Sequence, residues 1–419
     1  MMQRSITFGC LALCVFTFCG SGVSNPHGVL TASLGSLRSA RALGEATKGN
    51  TDPTILATNE RIEHLIREGR LTGDLNRYTL AKTEIDEVLK HAPRDPRTLR
   101  NAAWVATIFH QFDKAIRHSL IATGLEPTNA GAFGVLSDAY VELGMYEEAE
   151  AAVQTMLDLK PSLESYSRGA HLLWLKGETT MAISVMSQAV DAGPAKDEAT
   201  DWCRVQLSDM YLKVGSLSTA EGLCNAVLAR NPNYTHAKAG LARVVLCRGD
   251  YALAINLLEQ ATLQPENAPL VYLLELERLY RIVESTDKAD AVARVMERVA
   301  QQHRQLGITG DEITLALLHA DRGEELEAAA KEAMAEAAFH RTPQARACYA
   351  WVLHKGGCTV EAASIVPQIL EYGLRDPVLL GRMAVICAAA GKSEVAETLF
   401  REARMMNEPM CAFWLDAGH

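Results

Sequence analysis

Two short motifs in this 419-residue sequence contain side chains that bind phosphate or metal ions in other proteins. Gly391-Lys392-Ser393 matches the end of a phosphate-binding loop, but such a loop needs a glycine where Ile386 stands and follows a β-strand, which this segment does not. His319 and Glu324 could ligate a metal ion, yet the residues between them read as the end of a helix. Zinc-protease and serine-hydrolase motifs are absent from the sequence. We therefore predict a protein that is not an enzyme, with no catalytic residue, cofactor or metal site.

Tryptophan and arginine side chains suggest a different chemistry, the binding of another macromolecule. These two residue types carry a large share of the binding energy at many protein interfaces. Four tryptophans lie between residues 100 and 400, namely Trp104, Trp174, Trp202 and Trp351. Whether they can form one binding surface depends on the elements that carry them.

The elements that carry these tryptophans are repeats of about 34 residues. Residues 133–140 and 204–211 share the pattern Leu-Ser-Asp followed by any residue and tyrosine. Each tyrosine is followed at identical spacing by a glycine, an alanine and a proline, at Gly144, Ala149 and Pro161 in the first case. Agreement at this density indicates an internal repeat, which decides the fold before any other feature of the sequence does.

The landmarks of the repeat have a physical role in pairs of packed helices. Small residues at positions eight and twenty let two helices approach closely, and large apolar residues beside them fill the remaining space. The glycine at position fifteen ends the first helix, where a left-handed backbone is needed, and the proline near position thirty-two ends the second. The residues at position eight are Ala103, Ser137, Ala170, Ser208, Ala242, Ala350 and Ala384, and those at position twenty are Ala115, Ala149, Ala182, Ala220, Ala254, Ala362 and Ala396.

The repeat resembles the tetratricopeptide repeat, a unit of two antiparallel helices. The resemblance implies an all-α fold, a right-handed α-solenoid of about ten helix pairs. We predict the N-terminal part of this solenoid over residues 55–303 and the C-terminal part over residues 304–419, with an end cap from Met405 to His419. Clear units begin near Pro96, Ala130, Leu163, Asp201, Thr235, Pro343 and Pro377, with a further unit near Thr309 and a weak one near Leu270.

Residues 163–168, 201–209 and 346–353 also resemble a family of exported bacterial tetratricopeptide proteins that has no defined enzymatic activity, which implies a binding or scaffolding role. In such a solenoid the first helices line a concave surface. We predict that their inward positions form a groove for an extended peptide or a partner helix. The alternative for the tryptophans is packing between adjacent first helices. The predicted groove residues are Arg97, Arg100, Trp104, Asp138, His171, Trp174, Trp202, Asp209, Arg243, Arg278, Trp351 and His354.

The N-terminus has the features of an export signal. Arg4 precedes an apolar run from Ile6 to Cys19, small residues follow up to Ser24, and the run is short for a transmembrane helix. We predict a signal peptide over residues 1–24 and a flexible linker over residues 25–54. Alternatively, Cys19 is the acylated residue of a lipoprotein, which would tether the N-terminus to a membrane. Either interpretation predicts an exported protein of the periplasm or cell envelope.

The charge of the chain limits the class of partner. The 41 basic and 51 acidic side chains give a net charge of −10, which disfavours nucleic-acid binding. We expect a protein or peptide partner, no nucleic acid, and the function of a non-enzymatic interaction scaffold in the envelope. The alternative function is binding of a small ligand, or an accessory role for an envelope enzyme that handles polysaccharide or cell wall.

Overall fold

The computed structural model describes residues 52–373 and 375–416, and this part of the chain contains twenty α-helices, one short 3-10 helix and no β-strand. The predicted signal peptide, the Cys19 anchor and residues 25–51 of the predicted linker lie outside the described residues. The chain divides into two compact units, of which the structure describes residues 52–168 and residues 169–416 without residue 374. The α-solenoid class that the sequence predicts is therefore confirmed as stacked helix pairs in each unit.

The first unit contains six helices and the start of a seventh, which runs across the boundary at residue 168. The helices are α1 (Pro53–Thr72), α2 (Leu75–His91), α3 (Pro96–Ile108), α4 (Phe112–Leu125), α5 (Ala130–Glu142), α6 (Tyr146–Leu159) and α7 (Leu163–Leu175).

The second unit contains the remaining thirteen helices, with a 3-10 turn at Pro265–Asn267. They are α8 (Thr179–Ala192), α9 (Glu198–Lys213), α10 (Leu217–Leu228), α11 (Thr235–Leu246), α12 (Tyr251–Ala261), α13 (Leu270–Ile282), α14 (Thr286–Gln305), α15 (Glu312–Arg322), α16 (Leu326–Phe339), α17 (Pro343–Lys355), α18 (Thr359–Leu370), α19 (Pro377–Ala389) and α20 (Ser393–Asp416).

Short polar residues and prolines fix where several first helices begin. The Asp95 carboxylate accepts a hydrogen bond from the Thr98 amide, and Pro96 occupies the first helical position. Asp376 accepts from the amides of Val378 and Leu379 in the same way, ahead of Pro377. Capping satisfies amide groups that have no partner inside the helix, and proline at the first position costs no hydrogen bond.

Left-handed residues end the first helices, as the sequence predicts. Gly144, Gly215 and Gly249 have φ angles of 70°, 79° and 81°. Two units lack the glycine, and there His110 and Glu284 adopt the same conformation, with φ of 51° and 57°. A side chain in this region costs about 1–2 kcal/mol, so the repeat geometry outweighs the local preference of these two residues.

The small residues of the repeat lie at the closest contacts between helices. Every landmark at positions eight and twenty is at most 3% exposed. In the unit that begins near residue 201, the Ser208 hydroxyl donates to the carbonyl of Ala220 at 2.7 Å and lies 3.2 Å from the sulfur of Cys224. The prediction of close helix packing at these positions is therefore confirmed.

The last helix of the second unit bends back onto earlier repeats. α20 has non-helical backbone angles at Asn407, and we call residues 407–416 the C-terminal segment. The Asn407 side chain donates to the carbonyl of Leu212 at 2.7 Å and accepts from the Met410 amide at 3.0 Å. Met410 packs in a buried cluster with Leu212, near the end of α9, and Val378, near the start of α19, so the segment contacts both helices.

The remaining features concern the membrane and the thiols. Within the described residues, none of the helices combines the length and apolar character that a bilayer crossing requires.

Of the seven cysteines from Cys203 onwards, only Cys358 is exposed. Burial raises the pKa of the Cys224 and Cys247 thiols to about 11, so these groups serve as small apolar side chains in helix packing.

Candidate functional site

Two arginines on α3, a first helix of the first unit, share one carboxylate. Glu63 on α1 accepts two hydrogen bonds from Arg97, at 2.8 and 2.7 Å, and one from Arg100 at 2.6 Å. Burial alone would raise the pKa of Glu63, but the Arg97 hydrogen bond and the charges of both arginines outweigh it and hold that pKa below its usual value. The two predicted groove arginines are therefore brought together, with Arg97 keeping 31% of its side chain exposed.

The indole of Trp104 lies one turn further along α3. Its ring centroid is 5.7 Å from that of Tyr78 in α2, and the residue remains partly exposed. A tryptophan that packs on one side and meets solvent on the other can serve as an interface anchor. The structure is thus compatible with the predicted role of Trp104, which follows Arg100 by one turn on α3.

A second ion pair joins the next two first helices. Arg168 on α7 donates to both carboxylate oxygens of Asp138 on α5, at 2.9 and 2.7 Å, and to the Gly134 carbonyl at 3.2 Å. A methyl group on Gly134 would lie 3.1 Å from the Arg168 guanidinium carbon, so the glycine makes room for this side chain. Burial, with the nearby charge of Asp138, raises the pKa of Glu142 to about 7.

Three predicted groove residues at the start of the second unit differ in their exposure. Trp174 is 1% exposed and packs in the interior, which corresponds to the packing alternative for the tryptophans. His171 and Trp202 are partly exposed. Trp174 therefore offers no surface to a partner, whereas His171 and Trp202 remain accessible.

Asp209 and Arg243 belong to a charged network on α9, α11 and α13. Lys213 lies 2.8 Å from Asp209 and 3.4 Å from Asp376. Arg243 donates to Glu275 at 2.8 Å and lies 3.7 Å from Asp209. Burial would lower the pKa of Arg243, but the two acidic partners raise it above its usual value. The pairs of Arg243 with Asp209 and Glu275 connect the successive first helices α9, α11 and α13, and the contact of Lys213 with Asp376 joins α9 to the start of α19.

Arg278 and Trp351 converge on a buried carboxylate. Asp321 on α15 accepts hydrogen bonds from the Arg278 guanidinium and, at 2.8 Å, from the indole nitrogen of Trp351. Arg382 on α19 approaches the same carboxylate to 3.6 Å. The Arg278 guanidinium also stacks on the ring of Trp414, 4.0 Å from its centroid, which brings the C-terminal segment into the cluster.

Trp351 and His354 lie on α17 at the edge of this cluster. Trp351 is 3% exposed, since Arg382 covers its ring at 4.9 Å from the centroid. The His354 ring is 5.6 Å from that of Trp351, and its Nδ1 atom is 3.0 Å from the Thr359 hydroxyl. Trp351 is thus held inside the repeat stack and faces no open groove.

The charged groups of the second unit surround one cavity of about 130 Å³. Three predicted groove residues, Asp209, Arg243 and Arg278, line it. Lining residues that we did not include in the predicted groove are Lys213, Glu275, Gln344, Asp376, Arg382 and Trp414. The apolar part of the wall comes from Val271, Leu274, Ile313, Leu317, Val378, Leu379 and Met410.

A signal in the sequence could have found part of the missed set. Arg168, Glu275 and Arg382 each occupy position six of their units, one residue beyond the inward position five. With 3.6 residues per turn, positions two, six, nine and thirteen lie on one face of a helix. Positions two, five and nine, on which the groove prediction is based, share a face as well. Charged residues at position six therefore belong to the same helix face as the predicted groove positions, and two of them, Glu275 and Arg382, line the cavity.

In the two motifs with possible phosphate or metal chemistry, Lys392 and Glu324 form hydrogen bonds within the protein. The Lys392 ammonium group donates to the carbonyl of Ala363 at 2.9 Å, in the turn between α19 and α20. Glu324 accepts from Arg322 at 2.9 Å, next to Gly323, which ends α15 in a left-handed conformation. Among the described residues, no three His, Cys, Asp or Glu side chains are grouped so that they could hold a metal ion.

Comparison with known proteins concerns the repeats. Two family models described as tetratricopeptide repeat match residues 130–163 and 211–276. No curated protein sequence matches the chain.

Several solved structures are similar to parts of the chain. A thermophilic TPR protein of Thermus thermophilus is 24% identical and covers 44% of this chain and 99% of its own, with a TM-score of 0.40. YrrB, described as a TPR protein with an unusual peptide-binding site, is 18% identical over 43% of this chain and 92% of its own, with a TM-score of 0.31. PilF of Pseudomonas aeruginosa is 14% identical and covers 49% of this chain and 91% of its own, with a TM-score of 0.40.

Proposed function

The chain is a tetratricopeptide-repeat protein, and we propose that the inner surface of its first unit docks an extended peptide segment of a partner protein. Tetratricopeptide repeats support a protein-interaction scaffold. The docking surface is formed by Arg97, Arg100, Trp104, Asp138 and Arg168. The proposal rests chiefly on Trp104, a partly exposed indole beside an arginine pair.

The charge of this surface favours an acidic peptide. Its paired side chains are three arginines and two carboxylates, and Arg97 and Arg100 both depend on Glu63. A carboxylate of the partner could accept hydrogen bonds from these guanidinium groups without leaving a buried charge unpaired.

Site-specific photocrosslinking tests this proposal. A photoreactive amino acid at position 104 should give one discrete crosslinked protein from cells, and Arg97→Ala should weaken that product. The matched control is position 120, an exposed leucine on the second helix α4. Equal crosslinking from positions 104 and 120, or none from position 104, would refute docking at this surface.

We further propose that the protein acts outside the cytoplasm, as the N-terminal sequence favours. The support is the charged, apolar and small-residue order of residues 4–24. Mass determination of the mature N-terminus distinguishes cleavage near residues 22–24 from acylation at Cys19. A mature chain that starts at Met1 would rule out both forms of processing.

A further inference from the structure

The cavity of the second unit has room for a small molecule. A water molecule needs roughly 10–15 Å³ by the same measure, so 130 Å³ accommodates about ten water molecules or a ligand of about ten non-hydrogen atoms. The cavity lies between the inner faces of α9, α11, α13, α15, α17 and α19, with Met410 and Trp414 of the C-terminal segment in its wall. It is a different place from the docking surface of the first unit.

One part of the wall offers hydrogen-bond donors. Arg382 is 6% exposed, and among the described residues its Nε and Nη2 atoms donate no hydrogen bond. The Nε atom of Arg278 also lacks an acceptor there. Both guanidinium groups depend on the carboxylate of Asp321, whose oxygens already accept from Arg278 and from the Trp351 indole. The unused donors of two buried guanidinium groups fit an additional carboxylate.

Another part of the wall offers acceptors. The Oε2 atom of Glu275 and the Oε1 atom of Gln344 are buried, and among the described residues neither accepts a hydrogen bond. The Oδ2 atom of Asp376 is also buried without a hydrogen bond, and the Lys213 ammonium group lies 3.4 Å from it. All three residues line the cavity. An ammonium group supplies three donors, which matches this set of acceptors.

The charges around the cavity limit the net charge of its ligand. Four cationic residues, Lys213, Arg243, Arg278 and Arg382, and three acidic ones, Asp209, Glu275 and Asp376, line the cavity. Asp321 does not line it but supplies a fourth negative charge through its pairs with Arg278 and Arg382. A ligand with a net charge would upset this balance in a buried site, whereas one that carries both a carboxylate and an ammonium group would not. The apolar wall residues favour a hydrocarbon side chain on the same ligand.

We propose that this cavity binds an α-amino acid with an apolar side chain, its carboxylate at Arg278 and Arg382 and its ammonium group at the Glu275, Asp376 and Gln344 oxygens. The proposal stands independently of peptide docking on the first unit. Burial lowers the pKa of Arg382 to about 10 and raises that of Glu275, and a zwitterionic ligand would offset both effects by supplying the missing partners.

Calorimetric titration of the full chain with L-valine, L-leucine, L-methionine and L-phenylalanine tests the proposal. At least one of these should bind with 1:1 stoichiometry. If it is leucine, 4-methylpentanoate and 3-methylbutylamine, which each lack one charged group, should bind at least about tenfold more weakly, since each loses charged hydrogen bonds. Absence of binding by all four amino acids up to about 10 mM would overturn the proposal.

Substitution of Arg382 separates ligand binding from a structural role. Arg382→Gln should weaken binding by about ten- to a hundredfold, while the melting temperature of the ligand-free chain stays the same or rises, because a poorly compensated buried charge is removed. Arg375→Gln is the matched control, since that arginine forms an exposed pair with Glu402. Unchanged binding by Arg382→Gln would refute the site.

A second variant covers the case in which Arg382→Gln does not fold. Val271 lines the cavity and is only partly buried, so Val271→Phe places a ring in the space without changing any charge. Binding should be lost in this variant, and wild-type affinity for the same amino acid would show that the ligand lies elsewhere.

Discussion

Two glycines at the same repeat position allow a sharp test of the C-terminal segment. Gly215 and Gly249 both end first helices, with φ of 79° and 81°. A methyl group on Gly215 would lie 2.7 Å from the carbonyl oxygen of Met406, whereas one on Gly249 would meet no atom within 4 Å. Gly215→Ala should therefore destabilise the second unit more than Gly249→Ala does.

The expected difference follows from two separate costs. Alanine in a left-handed conformation costs about 1–2 kcal/mol at either position. At Gly215 the methyl group also pushes against a backbone atom that cannot rotate away, and overpacking of this kind costs about 1–3 kcal/mol more. Gly249→Ala should thus lower the free energy of unfolding by about 1–2 kcal/mol and Gly215→Ala by about 2–5 kcal/mol.

Two measurements check this expectation. Thermal unfolding followed by circular dichroism should give a lower melting temperature for Gly215→Ala, by about 2–4 °C for each kcal/mol of difference. Hydrogen exchange should accelerate in peptides from residues 407–416 in Gly215→Ala and remain at the wild-type rate in Gly249→Ala, because only the first methyl group displaces the segment. Equal melting temperatures and equal exchange in the two variants would refute the contact with Met406.

Three further predictions concern buried charge, pH and tryptophan packing. Asp321→Asn should cost about 3–5 kcal/mol in urea unfolding because it removes the carboxylate that two buried guanidinium groups share. Asp290→Asn, in a partly exposed pair with Arg322, should cost less than about 1 kcal/mol, and similar costs for the two variants would contradict the cluster. Burial lowers the pKa of His236 from 6.5 to about 4. The contribution of the neutral ring to the free energy of unfolding is therefore complete above pH 6.5 and is lost as the pH falls towards 4, by about 2 kcal/mol for a partly exposed ring. His236→Gln should remove this part of the pH dependence, and an unchanged pH profile of the variant would refute it. Trp174→Ala should cost about 3–5 kcal/mol and Trp104→Ala about 1–2 kcal/mol by the same measurement, and the opposite order would contradict the burial that separates the two indoles.

The sequence predicts the repeats well because their determinants are local. Positions eight, fifteen and twenty fix helix contact and helix end within one unit, and the structure confirms them. The starts at Pro96, Ala130, Leu163 and Thr235 also agree with the helices. The boundary that we predicted between residues 303 and 304 falls inside a helix, since α14 extends to Gln305 and buries Val299, Ala300 and His303.

The candidate site could be predicted only in part. Position nine identifies Asp209, Arg243 and Arg278, which do line one cavity. Position within the repeat cannot separate Trp104 from Trp351, which both occupy position nine although only Trp104 is partly exposed, because the exposure of an indole depends on the residues that neighbouring repeats place against it. The return of α20 also has no local signal, since Asn407 contacts a carbonyl 195 residues earlier in the chain.

The contact between Asn407 and Leu212 changes how the second unit can assemble. In ordinary solenoids each repeat contacts only the adjacent repeats, so the terminal repeats can unfold while the central ones remain folded. Here the last helix joins repeats that are far apart in the chain, and such long loops form late. A ribosome-bound chain that lacks residues 407–416 would hold α9 and α19 without the segment that joins them, so this contact forms only after residues 407–416 have been synthesised.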